Sequence, residues 1–264
     1  MRDRSIGLVI PVYNEASRID FAYLSEIAKI PELFLLFVDD GSTDSSSNLL
    51  ISNFEKFSNV EVLKLELNSG KSEAVRQGWL FLNRSENHEI LAFLDCDGAF
   101  SLKDILRCIA KTREILRSQE SANKDSQLVG FEALWTSRLN IAGRSIERSR
   151  KRHMAGRIFT KIIGLVFKKL PWDTQSGLKF FINDKNFQRT IEERFITRWL
   201  FEIEILLRFE DLNLRPYLIW EEVLDHWKDI DGSKIKASDT FSIFIQFLRL
   251  IRQHKMKGKI LWTK

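Results

Sequence analysis

Two aspartates spaced i, i+2 and followed by glycine, Asp95-Cys96-Asp97-Gly98, end the apolar run Ile90-Leu91-Ala92-Phe93-Leu94. Such a run makes a buried parallel strand. Side chains alternate along a strand, so both carboxylates can aim at one side where it frays. Crowded carboxylates repel each other, and a hard divalent cation with oxygen ligands relieves the repulsion. Mg²⁺ takes one or two carboxylates and completes its shell with water and substrate phosphates, so the pair implies a diphosphate. Asp-x-Asp-Gly is also ordinary turn chemistry, and the flanking sequence must separate the two readings.

A second group is basic. Residues 138–169 hold Arg138, Arg144, Arg152, Arg157 and six further lysines and arginines against Glu147 alone, in a chain of net charge +5. That charge suits anionic lipid, a phosphorylated substrate or nucleic acid. No familiar nucleic-acid-binding motif is present, so nucleic acid is not an expected partner.

The elements that position these groups follow from apolar patterning. Strands are expected over Ser5–Val12, Leu33–Val38, Val60–Leu65 and Ile90–Leu94, with helices between them over about 17–30, 44–56 and 71–82 and a further one over 101–118. Pro31 stops the first helix, and Ser42, Thr43 and Asp44 offer caps to the second. Alternating strands and helices at this spacing mean a parallel sheet with right-handed crossovers. Ligands of such sheets bind at the carboxyl ends of the strands. Further strands are expected over 128–135, Leu178–Ile182 and 215–222, and helices over 150–169 and 198–210. The tail from Ser238 reads as amphipathic, with Phe241, Phe244, Ile245, Leu248 and Ile251 on one face.

At 264 residues, 44% hydrophobic and 29% charged, the chain has the composition of a soluble globular protein with a sizeable core. Cys96 and Cys108 are its two cysteines, without disulfide or metal spacing, which fits a reducing cytoplasm. The first residues lead straight into a strand, so no signal peptide is expected. No apolar run approaches the roughly 18 residues of a bilayer span.

Val9-Ile10-Pro11-Val12-Tyr13-Asn14-Glu15, Val38-Asp39-Asp40-Gly41-Ser42-Thr43-Asp44, Asn68-x-Gly70-Lys71 and Asp95-x-Asp97-Gly98 follow the order and spacing of family 2 glycosyltransferases. The chain resembles this inverting, nucleotide-sugar-dependent class, whose fold is termed GT-A. Asp173-Thr174-Gln175-Ser176-Gly177-Leu178-Lys179-Phe180, Arg198-Trp199-Leu200-Phe201-Glu202-Ile203-Glu204 and Gly232-Ser233-Lys234 resemble the polyprenyl-phosphate sugar synthases, their dolichyl-phosphate glucosyltransferase branch in particular. The resemblance spans about 6–236. It implies an α/β, Rossmann-like, mostly parallel central sheet with helices on both faces. One domain would cover 1–236, with a nucleotide-sugar half (1–100) and an acceptor half (101–236), followed by a basic amphipathic tail (237–264). Many bacterial relatives carry C-terminal transmembrane helices, which this sequence does not show.

The resemblance also implies roles. Pro11, Tyr13 and Glu15 would hold the nucleoside, and Asp40 would bond the base. Gly70 would admit close backbone approach and Lys71 would neutralise donor phosphate. A lysine at a helix start opposes the dipole, which an anion nearby would explain. Asp95 and Asp97 would hold Mg²⁺ or Mn²⁺ on the diphosphate, and Gln175 would lie near the donor. Arg138, Arg152 and Arg157 would grip the acceptor phosphate, for which the planar guanidinium is suited.

The expected reaction moves a hexose, glucose by preference, from a UDP-glucose or GDP-mannose type donor to polyprenyl phosphate. It would take place on the inner face of the cytoplasmic membrane, where anionic lipid holds the enzyme peripherally. A phosphate monoester has a second pKa of about 6 and attacks without a base. A hydroxyl acceptor is the alternative; it would need one, and Glu202 and Glu204 are the candidates. A non-catalytic binding protein on the same fold is the third reading, against which the intact Asp95, Asp97 and Lys71 argue.

Overall fold

The computed structural model describes residues 5–85, 88–121, 132–147, 171–212, 219–228, 230, 243 and 245–252. They fall into two compact units: residues 1–98 with 177–199, and residues 99–176 with 200–264.

The first unit is built on the strands β1 (Ser5–Val12), β2 (Leu33–Asp39), β3 (Val60–Lys64), β4 (His88–Leu94) and β7 (Leu178–Ile182), in the spatial order β3-β2-β1-β4-β7. The first four are parallel, whereas β7 runs antiparallel to β4, with Phe93 opposite Lys179 and Leu94 opposite Leu178. β1, β2 and β4 are almost wholly apolar and buried, as strands covered on both faces must be. On one face α3 (Lys71–Ser85) lies against Val9 and Val38, and its Trp79 packs edge-on against Phe93 and Phe181. The Trp79 indole N–H donates to the Ala92 carbonyl at 3.0 Å. On the other face Phe54 of α2 (Ser46–Phe54) packs against Phe37, their ring centres 4.9 Å apart.

α1 spans Phe21–Ala28, shorter than the expected 17–30. The amides of Arg18 and Ile19 both donate to the Glu15 carbonyl, forming a turn, and Asp20 then caps the helix by accepting from Tyr23 N. α5 (Lys185–Glu192), unanticipated in the sequence, starts in the same way: Asp184 accepts from Phe187 N at 2.8 Å.

The second unit contains α4 (Leu102–Ser121), β5 (Ala133–Ser137), β6 (Ser145–Glu147), α6 (Phe201–Asp211), β8 (Ile219–Val223) and β9 (His226–Lys228). β5 pairs in parallel with β8, and β6 with β9. Residues 245–252 are helical. Phe247, Leu250 and Ile251 form their buried face, an i, i+3, i+4 set, while Ile245 and Leu248 are exposed. The expected stripe through Ile245, Leu248 and Ile251 is corrected accordingly; Phe241 and Phe244 lie outside the described residues. So do the expected helix over 150–169 and the Gly232-Ser233-Lys234 segment.

Candidate functional site

Three loops meet beyond the carboxyl ends of β1, β2 and β3. Asn14 adopts a left-handed backbone (φ 49°), and its side-chain oxygen accepts from the amides of Thr43 (2.8 Å) and Asp44 (3.3 Å). In return Asn14 N donates to Ser42 Oγ, and Glu15 N to Ser46 Oγ. The third loop is fastened by Asp40, whose carboxylate accepts from Ser69 N and Gly70 N, both at 2.8 Å, and from Asn68 Nδ2 at 3.0 Å. Burial pushes the Asp40 carboxyl above the usual carboxylate range, opposed by those two amides and by the Arg198 charge. Gly70 (φ 93°) leads into α3 where a side chain would collide with Arg198: a Cβ there would lie 3.0 Å from Arg198 Cβ. Pro11, Tyr13, Glu15, Asp40, Gly70 and Lys71 thus all lie on or beside this laced set of loops, Glu15 in an ion pair with Arg18 at 3.3 Å.

Asp95 and Asp97 follow β4 directly. Lys71 Nζ, from the first turn of α3, stands 2.5 Å from Asp95 Oδ1, and both side chains reach solvent. Opposite Asp95, just before β7, is Gly177, whose carbonyl accepts from Asp95 N at 2.8 Å. A Cβ at Gly177 would lie 2.5 Å from Asp95 Cγ and closer still to Oδ2. The glycine therefore leaves a cradle that the Asp95 carboxylate fills. Asp97 faces α1, where burial and then the Asp97 charge push the Tyr23 phenol up. Among the described residues no three His, Cys, Asp or Glu side chains converge as a metal cage. Asp95 and Asp97 offer two carboxylate side chains, Asp95 seated in the Gly177 cradle. That set suits Mg²⁺ or Mn²⁺, which keep positions for water and phosphate oxygens.

The remaining expected site residues belong to the second unit. Arg138 is held by Asp173 in a two-point pair, Nε to Oδ2 at 2.6 Å and Nη2 to Oδ1 at 2.8 Å, and its guanidinium lies 5.0 Å from the Trp227 ring centre. Asp173 is seated in turn by Glu221, which accepts its backbone N–H at 2.9 Å. Gln175 donates through its backbone N–H to Asp173 Oδ1 at 3.2 Å. Glu202 and Glu204 are buried on α6, Glu204 paired with Arg208 at 2.7 Å. Arg198 bonds Asn68. Arg152 and Arg157 lie outside the described residues. Sequence reasoning missed Asn14 and Gly177 as parts of the site. The Asn14 signal was an asparagine between a strand end and a helix, where left-handed backbone is tolerated. Gly177 carried no signal, because its importance depends on the β4–β7 register.

The fold defines an α/β protein with a Rossmann-like sheet and a polar site at its strand ends. The profile of Glycosyl transferase family 2 matches residues 8–165, and the chain belongs to that family. It is 31% identical over 255 residues to a dolichyl-phosphate beta-glucosyltransferase of Dictyostelium discoideum, covering 92% of this chain and 72% of the relative. To the dolichyl-phosphate beta-glucosyltransferase of Saccharomyces cerevisiae it is 28% identical over 268 residues, covering 96% and 75%. Among solved structures, glucosyl-3-phosphoglycerate synthase from Mycobacterium tuberculosis, crystallised with Mn²⁺, UDP and glucosyl-3-phosphoglycerate, superposes with a TM-score of 0.58. That likeness has 16% identity, covers 94% of this chain and 80% of the other, and shows the shared fold. The expected family, fold class and glycosyltransferase activity are thereby met. Among the described residues no helix is long and apolar enough to cross a membrane.

Proposed function

We propose that this glycosyltransferase moves glucose from UDP-glucose to the phosphate of a polyprenyl phosphate, with inversion, at a membrane surface. The observation that carries the reading is the similarity to dolichyl-phosphate beta-glucosyltransferases along 92% of the chain, well past the family match. The site supports it. The loops at Tyr13, Glu15 and Asp40 take the nucleoside, with Pro11 closing β1 beneath them. Lys71 and the first turn of α3, freed of any side chain at Gly70, face the diphosphate. Asp95 and Asp97 would hold Mg²⁺ or Mn²⁺, which stabilises the leaving diphosphate when bound. Gln175 is assigned to the donor, and Arg138, Arg152 and Arg157 to the acceptor phosphate, the Arg138 plane being fixed by Asp173.

In the reaction an acceptor phosphate oxygen bonds to the anomeric carbon from the face opposite UDP. The bond from that carbon to the UDP oxygen breaks, and its electron pair leaves on the β-phosphate. The attacking phosphate is largely a dianion near neutrality, with a second pKa of about 6, so no protein base is required. A hydroxyl acceptor would need Glu202 or Glu204 to deprotonate it, and both are buried. Ile245 and Leu248 are exposed beside the exposed Arg249 and Arg252, a surface suited to anionic lipid. The test is a product assay with UDP-glucose and GDP-mannose, Mg²⁺ or Mn²⁺, with and without a short-chain polyprenyl phosphate. Glucosyl phospholipid formed from UDP-glucose alone is expected. Transfer to hydroxyl compounds with the lipid phosphate left unused would overturn the reading.

A further inference from the structure

The side of β7 that faces α3 carries Phe181 and Lys179, opposite Leu91 and Phe93 of β4, and just beyond the strand ends Gly177 accepts from Asp95 N. Lys179 is fully buried there. Its Nζ lies 5.2 Å from the centre of the Phe93 ring, and Lys71 Nζ lies 5.3 Å from the same centre. Lys71 also touches Asp95, the next residue on that face, at 2.5 Å. The ends of two lysine side chains therefore lie against one aromatic ring, and one of them pairs with the Asp95 carboxylate. Lys71 reaches solvent and is able to change partners, whereas Lys179 is fixed within the sheet. Taking an ammonium out of water is expensive, and a neutral residue of equal length would fill the space without that penalty. The rest of β7 is Leu178, Phe180, Phe181 and Ile182, all apolar.

We infer that Lys179 is a positioning residue for the donor: a fixed, solvent-shielded positive charge behind the Asp95–Lys71 pair that strengthens the hold on the diphosphate. The inference rests on the donor-site reading above. A charge inside the protein acts over several ångströms at low dielectric and escapes salt screening. It offsets Asp95, so Lys71 can turn toward the diphosphate without leaving that carboxylate wholly uncompensated. Nothing in this role depends on Lys179 touching the ligand.

The test compares a charged and a neutral ligand of the same base. UDP and uridine are titrated calorimetrically, with Mg²⁺ present throughout, into wild type, Lys179→Met and Lys179→Gln, with circular dichroism as the check on folding. Loss of the buried charge is expected to weaken UDP about tenfold and leave uridine within about twofold. A residue that only packs the core would move both ligands together or neither. UDP binding retained in the variants, or UDP and uridine weakened alike, overturns the inference. Failure of both variants to fold also overturns it, by assigning Lys179 to the core alone. Wild type that binds UDP no better than uridine removes the donor-site reading itself, and this inference with it.

Discussion

Asp95 and Asp104 each face a basic side chain, but their surroundings differ in kind. Asp104, fully buried at the start of α4, accepts from Ser101 Oγ, Asp225 N, His226 N and Arg107 Nη2. Arg107 also bonds Glu222 and the Val223 carbonyl, and Asp225 pairs with Lys103 and Arg144. The second unit's network is closed on itself and fixes the turn between β8 and β9. Among the described residues Asp95 pairs with Lys71 alone, lies against a glycine that leaves it room, and reaches solvent. Charge pairing alone therefore does not mark a functional site. Asp95 differs in pairing with a lysine that reaches solvent and in lying against a glycine.

The sharpest way to break this comparison is to remove each carboxylate. Asp95→Ala or Asp97→Ala is expected to lower glucosyl transfer by about 10²–10³, as when stabilisation of a leaving group is lost, with a thermal midpoint moved by less than about 3 °C. Asp104→Ala should do the reverse. It takes one of its carboxylate partners from Arg107, leaves two backbone amides without their acceptor, and should lower stability by about 3 kcal/mol in urea unfolding, while turnover per folded molecule holds. Equal losses of stability in both clusters would erase the distinction.

Gly177→Ala tests the cradle itself. The added methyl group displaces the Asp95 carboxylate, and transfer should fall about tenfold or more with the sheet intact by circular dichroism. Unchanged turnover would show that the position of Asp95 is immaterial.

Asp40→Asn should weaken UDP binding several-fold, since the amide cannot accept from Ser69 and Gly70 as the carboxylate does. It also has a pH signature. Because burial raises this carboxyl in the folded protein, forming its charge disfavours folding. The stability it contributes is present below the ordinary carboxylate value and fades as pH rises through the raised one. Urea midpoints compared across the acid range should show wild type losing ground to the variant on the way up.

The smallest expected effect reads the closed network directly. Burial, with Glu222 and Asp104 adding to it, pushes the Cys108 thiol up to about 12 against the pull of Arg107. Alkylation of Cys108 at pH 8 should be negligible in wild type and quicken in Asp104→Ala.

Much of the first unit was legible from apolar runs ended by Asp, Asn and Gly, because buried parallel strands need no partner to announce themselves. β6 and β9 were not, being three residues each with mostly exposed side chains. The pairing of Arg138 with Asp173 joins residues 35 positions apart, and the burial of Lys179 follows from an antiparallel register. Neither is written in local pattern. Asp40, Lys71 and Asp95 were legible as residues, but the amides and the ion pair that hold them emerge from the loops meeting in space.

The most direct test of the account is the acceptor-dependent transfer of labelled glucose from UDP-glucose to a short-chain polyprenyl phosphate, run with Mn²⁺, with excess chelator, and with Asp95→Ala. The account predicts a β-linked glucosyl phospholipid with metal and loss of that product in the other two arms. Full turnover by Asp95→Ala in chelator would contradict it.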